Sequence, residues 1–180
     1  MFSGKLQLIG GLSLRQSRPE DSQFLLAMFM AARPWLAETS DDPDFVRFLF
    51  EDQYRIARLG VGHLYPEHMD FVIERTGQAI GRLTLDFGYS DWRISIMEIH
   101  PEARRKGNGA DVVRSLQRGA AGQKMALTGA ALTYPPGALE FWMRQGFRVI
   151  ASRPPHVELV WCPPGRPWPQ PVPAVVPQYG

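Results

Sequence analysis

The sequence predicts an α/β fold of the α+β type: a mixed, mostly antiparallel central sheet of six to seven strands with flanking helices. Three observations predict it. Residues 69–99 hold three strand-like runs joined by turns at Thr76-Gly77 and Gly88 to Asp91, which reads as an antiparallel meander. From Trp92 to Thr133 the pattern is strand, helix, strand, the signature of a parallel crossover. The remaining apolar segments recur at helical spacing and carry helix start and stop residues.

Leu6 to Leu14 alternates around Gly10-Gly11 and fits one strand or two short ones joined by a turn. Ser17-Arg-Pro-Glu20 has capping-box spacing, with serine as N-cap. The helix it opens sets Phe24, Leu25, Met28 and Phe29 on one face and stops before Pro34. Trp35 to Asp44 reads as an acidic loop. Asp42-Pro43 then starts a second helix, whose Phe45, Phe48, Leu49, Tyr54, Ile56 and Leu59 are expected in the core before Gly60 ends it. The meander follows, with strands at Met69–Arg75, Ala79–Phe87 and Trp92–Ile99. A helix from about Asn108 to Ala120 leads to a strand at Met125–Thr133. Pro136 begins a helix ending at Gly146, and Phe147–Ala151 and Val157–Cys162 are the last strands.

The expected organisation is an N-terminal extension or extra strand over 1–11, one domain over 12–162, and a tail over 163–180. The tail holds seven of the sixteen prolines, so it reads as extended, polyproline-type chain, either disordered or lying on its own domain or a neighbour.

Composition bounds the function. At 180 residues the chain can bury a proper core, and a net charge of +2 is too small to argue for nucleic-acid binding. Cys162 is the only cysteine, which excludes an intramolecular disulfide and a CxxC site and reads as a small buried hydrophobe. The four histidines lack metal-ligand spacing, so no metal is expected. No apolar window is long enough to cross a bilayer or act as a signal sequence. A soluble cytoplasmic protein without a membrane partner is expected, and a homodimer is allowed.

The stretch Ile99-His-Pro-Glu-Ala-Arg-Arg-Lys-Gly-Asn-Gly-Ala110 joins an apolar strand to a helix. A helix start exposes unpaired N–H groups and a positive dipole end, suited to an anion. Gly107 and Gly109 permit close approach, and Arg104, Arg105 and Lys106 add charge. The competing reading is an ordinary turn beside a solvated basic run. Neither glycine alone decides between them.

With the surrounding elements in this order, the chain resembles the GNAT family of N-acetyltransferases. Ile99, Pro101, Arg104, Gly107 and Gly109 match the family's acyl-CoA motif, Val/Ile-x-Pro-x-x-Arg-x-x-Gly-x-Gly/Ala. Ala138, Phe141-Trp142 and Gly146-Phe147 match a second signature on the last helix. The resemblance spans roughly residues 12–162. It implies acetyl-CoA as co-substrate, its pyrophosphate held by backbone N–H groups of about Arg105, Lys106, Gly107, Asn108, Gly109 and Ala110. The end of the Trp92–Ile99 strand, near Met97 and Ile99, would pair with the pantetheine amides. That strand and the Met125–Thr133 strand would splay apart around the thioester.

Amine acetylation by direct attack needs a neutral amine, a polarised carbonyl and often an acid for the thiolate. The family often has a tyrosine acid where this chain has Trp142, whose indole N–H is not usefully acidic but whose ring can pack on the pantetheine arm. Its frequent asparagine is replaced by Pro135 or Pro136. Tyr134 is the nearest phenol and the substitute acid, or else an ordinary turn tyrosine. For the base, strict alternation places Glu98 on the apolar face with Trp92, Ile94 and Ile96, where desolvation would favour proton uptake; alternatively it pairs with Arg104 or Arg105. Asp91 is a second choice. The acceptor amine is unreadable: Asp41, Asp42, Asp44 and Trp35 can line its site or serve as cap and anchor. Two function classes stand: an N-acetyltransferase acting on a small-molecule or protein amine, or a CoA-binding module with lost or repurposed catalysis.

Overall fold

The computed structural model describes residues 4–59, 65, 67–133 and 137–171. Eight strands form one sheet: β1 (Leu6–Gln7), β2 (Leu12–Gln16), β3 (Glu67–Arg75), β4 (Gln78–Phe87), β5 (Asp91–Ile99), β6 (Ala126–Leu132), β7 (Arg148–Arg153) and β8 (His156–Trp161). Their order is β1-β2-β3-β4-β5-β6-β8-β7, and every pairing is antiparallel except β5 with β6. The sheet is therefore the mixed, mostly antiparallel one expected, with one strand more than the upper estimate. That strand comes from Leu6–Leu14 splitting at Gly10 and Gly11, both at φ +73°, into β1 and β2.

The parallel pair covers only part of each strand. Asp91 to Ile94 match Ala126 to Gly129, and past Ile94 the two strands separate. A bulge stands at that point: Thr84 faces Ile96 while Leu85 faces Ile94, leaving Ser95 as the extra residue of β5. One extra residue exchanges the faces of everything beyond it. Trp92 and Ile94 pair with Phe87 and Leu85, whereas Met97 and Ile99 pair with Leu83 and Gly81, and all but Gly81 join one apolar cluster. Ile96 and Glu98 pair instead with Thr84 and Arg82 on the opposite face. The alternation expected for β5 is thus corrected: Glu98 does not share a face with Trp92 and Ile94.

Among the described residues five helices flank the sheet: α1 (Ser22–Ala31), α2 (Pro34–Ala37), α3 (Pro43–Leu59), α4 (Asn108–Gly122) and α5 (Gly137–Arg144). On one face, Val112, Val113, Leu116 and Ala120 of α4 bury against Leu12, Leu14, Ile73, Leu83 and Leu127, joined by Leu139, Phe141 and Trp142 of α5. This is the main core. Met28 and Phe29 of α1 and Phe50 of α3 are also buried, and the Phe29 and Tyr54 rings lie near Arg82 on the second face.

Some local expectations change. The first cap is one residue further on, with the Arg18 N–H donating to Asp21 Oδ2 at 2.8 Å, and a 3-10 turn at Pro19–Asp21 precedes α1. Proline after Arg18 presets that turn, so Ser17 N–H continues the ladder onto Asp70 O instead. The acidic loop contains the short α2. Asp42 does cap α3, accepting from Asp44 N at 3.0 Å. Phe45, Phe48 and Ile56 of α3 are exposed, not core, because α3 packs chiefly on α1 and α2; Phe50 is the buried aromatic. Gly60 and the start of the last helix at Pro136 lie outside the described residues.

The tail to Pro171 lies on its own domain. Trp168 packs on Ala126, Ile150, Val160 and Cys162, under the Arg148 guanidinium at 4.0 Å from the ring centroid. Cys162 is the buried apolar group expected, and burial holds its thiol above the ordinary value.

Candidate active site

The turn into α4 has the geometry of an anion cradle. Gly107 is its N-cap at φ +81°, left-handed backbone that a side chain strains. A Cβ there would meet nothing within 4 Å, so the glycine faces open space. Among the described residues, the N–H groups of Gly107, Asn108, Gly109 and Ala110 have no acceptor, whereas Asp111 N already donates to Gly107 O. Arg105, at φ +57°, supplies the other left-handed residue of the turn. A pyrophosphate fits such a set of converging donors.

The residues expected there divide by role. Asn108 is buried and donates from Nδ2 to Ala103 O at 2.8 Å, so its side chain braces the turn while its N–H stays available. Arg104 is committed: Nε donates to Ile99 O at 2.7 Å, tying the turn to the end of β5. Arg105 and Lys106 are exposed beside the donors. At Gly109 a Cβ would lie 3.4 Å from Phe141 Cζ, so this glycine serves close packing of α4 on α5. Met97 and Ile99 turn their side chains into the core, leaving the β5 main chain past Ile94 as a strand edge released from β6. Trp142 sits between Phe141 and Phe147, with centroids 5.3 and 5.0 Å away and edge-on geometry. Tyr134, Pro135 and Pro136 lie outside the described residues.

Glu98 occupies the second face at the far end of β5. Its Oε2 accepts from Arg82 Nε at 2.7 Å and its Oε1 from Arg33 Nη1 at 2.9 Å. Both oxygens are committed to guanidinium groups, which leaves this carboxylate poorly placed to take a proton. The expected partners Arg104 and Arg105 do not hold it. The bulge is the reason, since it turns Glu98 toward α1.

Nearer the split, the same face carries a row that reading the sequence missed. His68 of β3, Asp86 of β4, Arg93 of β5 and Thr128 of β6 are successive cross-strand partners. His68 Nδ1 lies 2.6 Å from Asp86 Oδ1, and the Ser95 hydroxyl donates to Asp86 Oδ2. Arg93 donates to Glu158 Oε2 at 3.1 Å; that ion pair raises the Arg93 guanidinium despite an opposing burial effect. Tyr65 donates to Asp91 Oδ2 at 3.2 Å, an oxygen that also accepts from Thr128 at 2.6 Å. Burial, reinforced by Asp91, holds the Tyr65 phenol above its ordinary value, so it keeps its proton at neutral pH. The period-two set Arg82, Thr84, Asp86 inside the apolar β4 run was the available signal. Those three side chains are buried, where a solvent-facing stripe would be exposed.

Solved structures share this fold. A PaiA N-acetyltransferase from Thermoplasma acidophilum in complex with coenzyme A superposes with a TM-score of 0.65 over 84% of this chain and 98% of its own, at 12% identity. An acetyltransferase from Thermus thermophilus gives 0.61 over 87% and 99%, at 21% identity. FdhC, a nucleotide-linked sugar GNAT, gives 0.63 over 89% and 91%, at 12% identity. No family model and no curated protein sequence matches the chain. The architecture is that of the GNAT acetyltransferases.

Proposed function

We propose that the protein is an acyl-CoA-dependent N-acetyltransferase that moves an acetyl group from acetyl-CoA to an amine of a small molecule or protein. The observation that carries this reading is one juxtaposition. The N–H cradle of Gly107 to Ala110 opens α4 directly after the strand whose edge β6 releases at Ile94. The four donors would take the pyrophosphate, with Arg105 and Lys106 adding charge, and the freed β5 edge would take the pantetheine amides. The CoA-bound Thermoplasma relative supports the choice of co-substrate. Trp142, held edge-on between Phe141 and Phe147, would pack on the pantetheine arm.

Transfer is by direct attack: the amine nitrogen bonds to the acyl carbon, the carbon–sulfur bond breaks, and CoA leaves as thiol after proton transfer. The setting we infer is soluble and cytoplasmic, with no nucleic-acid or membrane partner and no metal.

Titration calorimetry with acetyl-CoA tests the donor site. Micromolar binding is expected, weakened about ten- to hundredfold in Gly107→Val, which disrupts charge-assisted contacts to phosphate. Absence of heat at micromolar concentrations overturns the reading. Binding without free-thiol release across an amine panel would favour the CoA-binding module instead.

A further inference from the structure

We propose that His68, oriented by Asp86, is the group that takes the proton from the acceptor amine. This rests on the acetyltransferase reading above and names a catalytic residue within it. The starting point is the bulge. Ser95 is the inserted residue of β5, it stands where β5 and β6 part, and its hydroxyl donates to Asp86 Oδ2. The other oxygen of the same carboxylate holds His68 Nδ1 at 2.6 Å. A continuous chain of hydrogen bonds therefore runs from the split, across β4, to an imidazole.

The chemistry of the chain fixes the tautomer. An ionised carboxylate can only accept, so Asp86 requires the proton of His68 to sit on Nδ1 and leaves the Nε2 lone pair for a substrate N–H. The Asp86 side chain is 0% exposed whereas the imidazole is 33% exposed, so the orienting group is sealed and the proton acceptor is reachable. Among the described residues, the charged neighbours bear on the same step. Asp70 Oδ2, on the same strand, lies 3.6 Å from Nε2 and its other oxygen accepts from Thr84 at 2.5 Å. Arg93, the cross-strand partner of Asp86, is neutralised by Glu158. Asp70 thus stabilises the imidazolium that forms. Glu98, with each oxygen held by an arginine, has no comparable opening.

The step balances without another reagent. The neutral amine's nitrogen bonds to the acyl carbon of acetyl-CoA, its N–H proton passes to His68 Nε2, and the carbon–sulfur electron pair leaves on sulfur. The imidazolium proton then neutralises the thiolate, directly or through water, and the imidazole is restored.

The test measures acetyl-CoA affinity by calorimetry and thiol release with cadaverine, tyramine and an alanine-starting peptide as acceptors. For His68→Ala, kcat/KM at pH 7 is expected to fall roughly a hundredfold and the acidic limb of its pH profile to disappear. Added imidazole should restore at least about a tenth of the loss, while acetyl-CoA affinity and melting temperature stay at wild-type values. Asp86→Asn tests the positioning residue: its acidic limb should move and its kcat fall, with acetyl-CoA affinity retained. Ser95→Ala, smaller still, guards against a folding defect in that variant. Wild-type turnover with kcat/KM and the acidic limb preserved in His68→Ala overturns this assignment alone. No acetyl-CoA binding, or binding with no turnover on any acceptor, overturns the acetyltransferase reading and this assignment with it.

Discussion

Replacing Glu98 with glutamine separates a structural carboxylate from a catalytic one. The Glu98 side chain is 10% exposed and the Arg82 side chain 5%, and Arg82 Nη2 is already buried without a partner. Glutamine keeps the shape but presents one N–H2 to a guanidinium and removes the charge that balances Arg82. Breaking a buried ion pair from one side costs 3–5 kcal/mol; because Arg33 is 28% exposed and can turn to water, we take about 3 kcal/mol. At roughly 2–4 °C per kcal/mol for a chain of this size, the melting temperature should fall by about 6–12 °C. Differential scanning calorimetry at pH 7 reads the shift, and thiol release measured well below the melting point reads the pH profile. The acidic limb should persist in Glu98→Gln. A melting temperature unchanged within about 1 °C, together with loss of that limb, would refute this reasoning and return the base to Glu98.

Other consequences are equally direct. At Gly81 a Cβ would lie 2.5 Å from the Glu98 carbonyl oxygen across β4 and β5, so Gly81→Ala should cost about 1–3 kcal/mol of overpacking and weaken acetyl-CoA binding by displacing the β5 edge. Thermal melts and calorimetry check both. Hydrogen bonding to Arg15 holds the Asp21 carboxyl below its ordinary value, and Glu74, despite burial, is lowered by Lys5 and Arg15. Below the ordinary carboxylate value of about 4, the unfolded state binds the extra protons, so this stability is full above that pH and is lost as pH falls through the depressed folded values. Asp21→Asn should flatten the acid limb of urea-derived stability against pH. Trp168→Ala removes the ring under Arg148 and should cost about 1–2 kcal/mol and expose the tail to trypsin at Arg166, read by limited proteolysis.

Much of the fold was legible because its signals are local. The Thr76-Gly77 turn, with φ +49° and +83°, and the Asp42 cap with Pro43 behind it are set by residues a few positions apart, and α3 spans Pro43–Leu59 as read. The turn into α4 was legible for the same reason: its glycines, cations and helix start lie within one short stretch. Burial on the second face was not. Arg82, Thr84 and Asp86 alternate with Leu83 and Leu85 just as solvent-facing residues would. Only the approach of α1, carrying Phe29, and of Arg33 in the turn after it, together with the cross-strand carboxylates, makes them interior. Nothing near residue 68 in the sequence says that its partner stands at 86.

The inserted Ser95 explains why a correct strand gave a wrong face, and why the two halves of the proposed site meet. Without the bulge, Ile96 and Glu98 would continue the face of Trp92 and Ile94, beneath α4 and α5, and Met97 would face α1. With it, Met97 and Ile99 return to the apolar core ahead of the turn into α4, while Ile96 and Glu98 go to the polar layer. The same residue stands where the pairing with β6 ends and anchors Asp86 from its hydroxyl. Release of the β5 edge, which the pantetheine amides would use, and orientation of the imidazole across β4 therefore depend on one insertion. Deleting Ser95 should remove the bulge yet leave Met97 and Ile99 on the core face and Glu98 opposite Arg82, because Ile94 and Ile96 then face Leu85 and Thr84 as ordinary neighbours; calorimetry should show weaker acetyl-CoA binding as β5 straightens, whereas Ser95→Ala removes the hydroxyl and leaves the bulge intact.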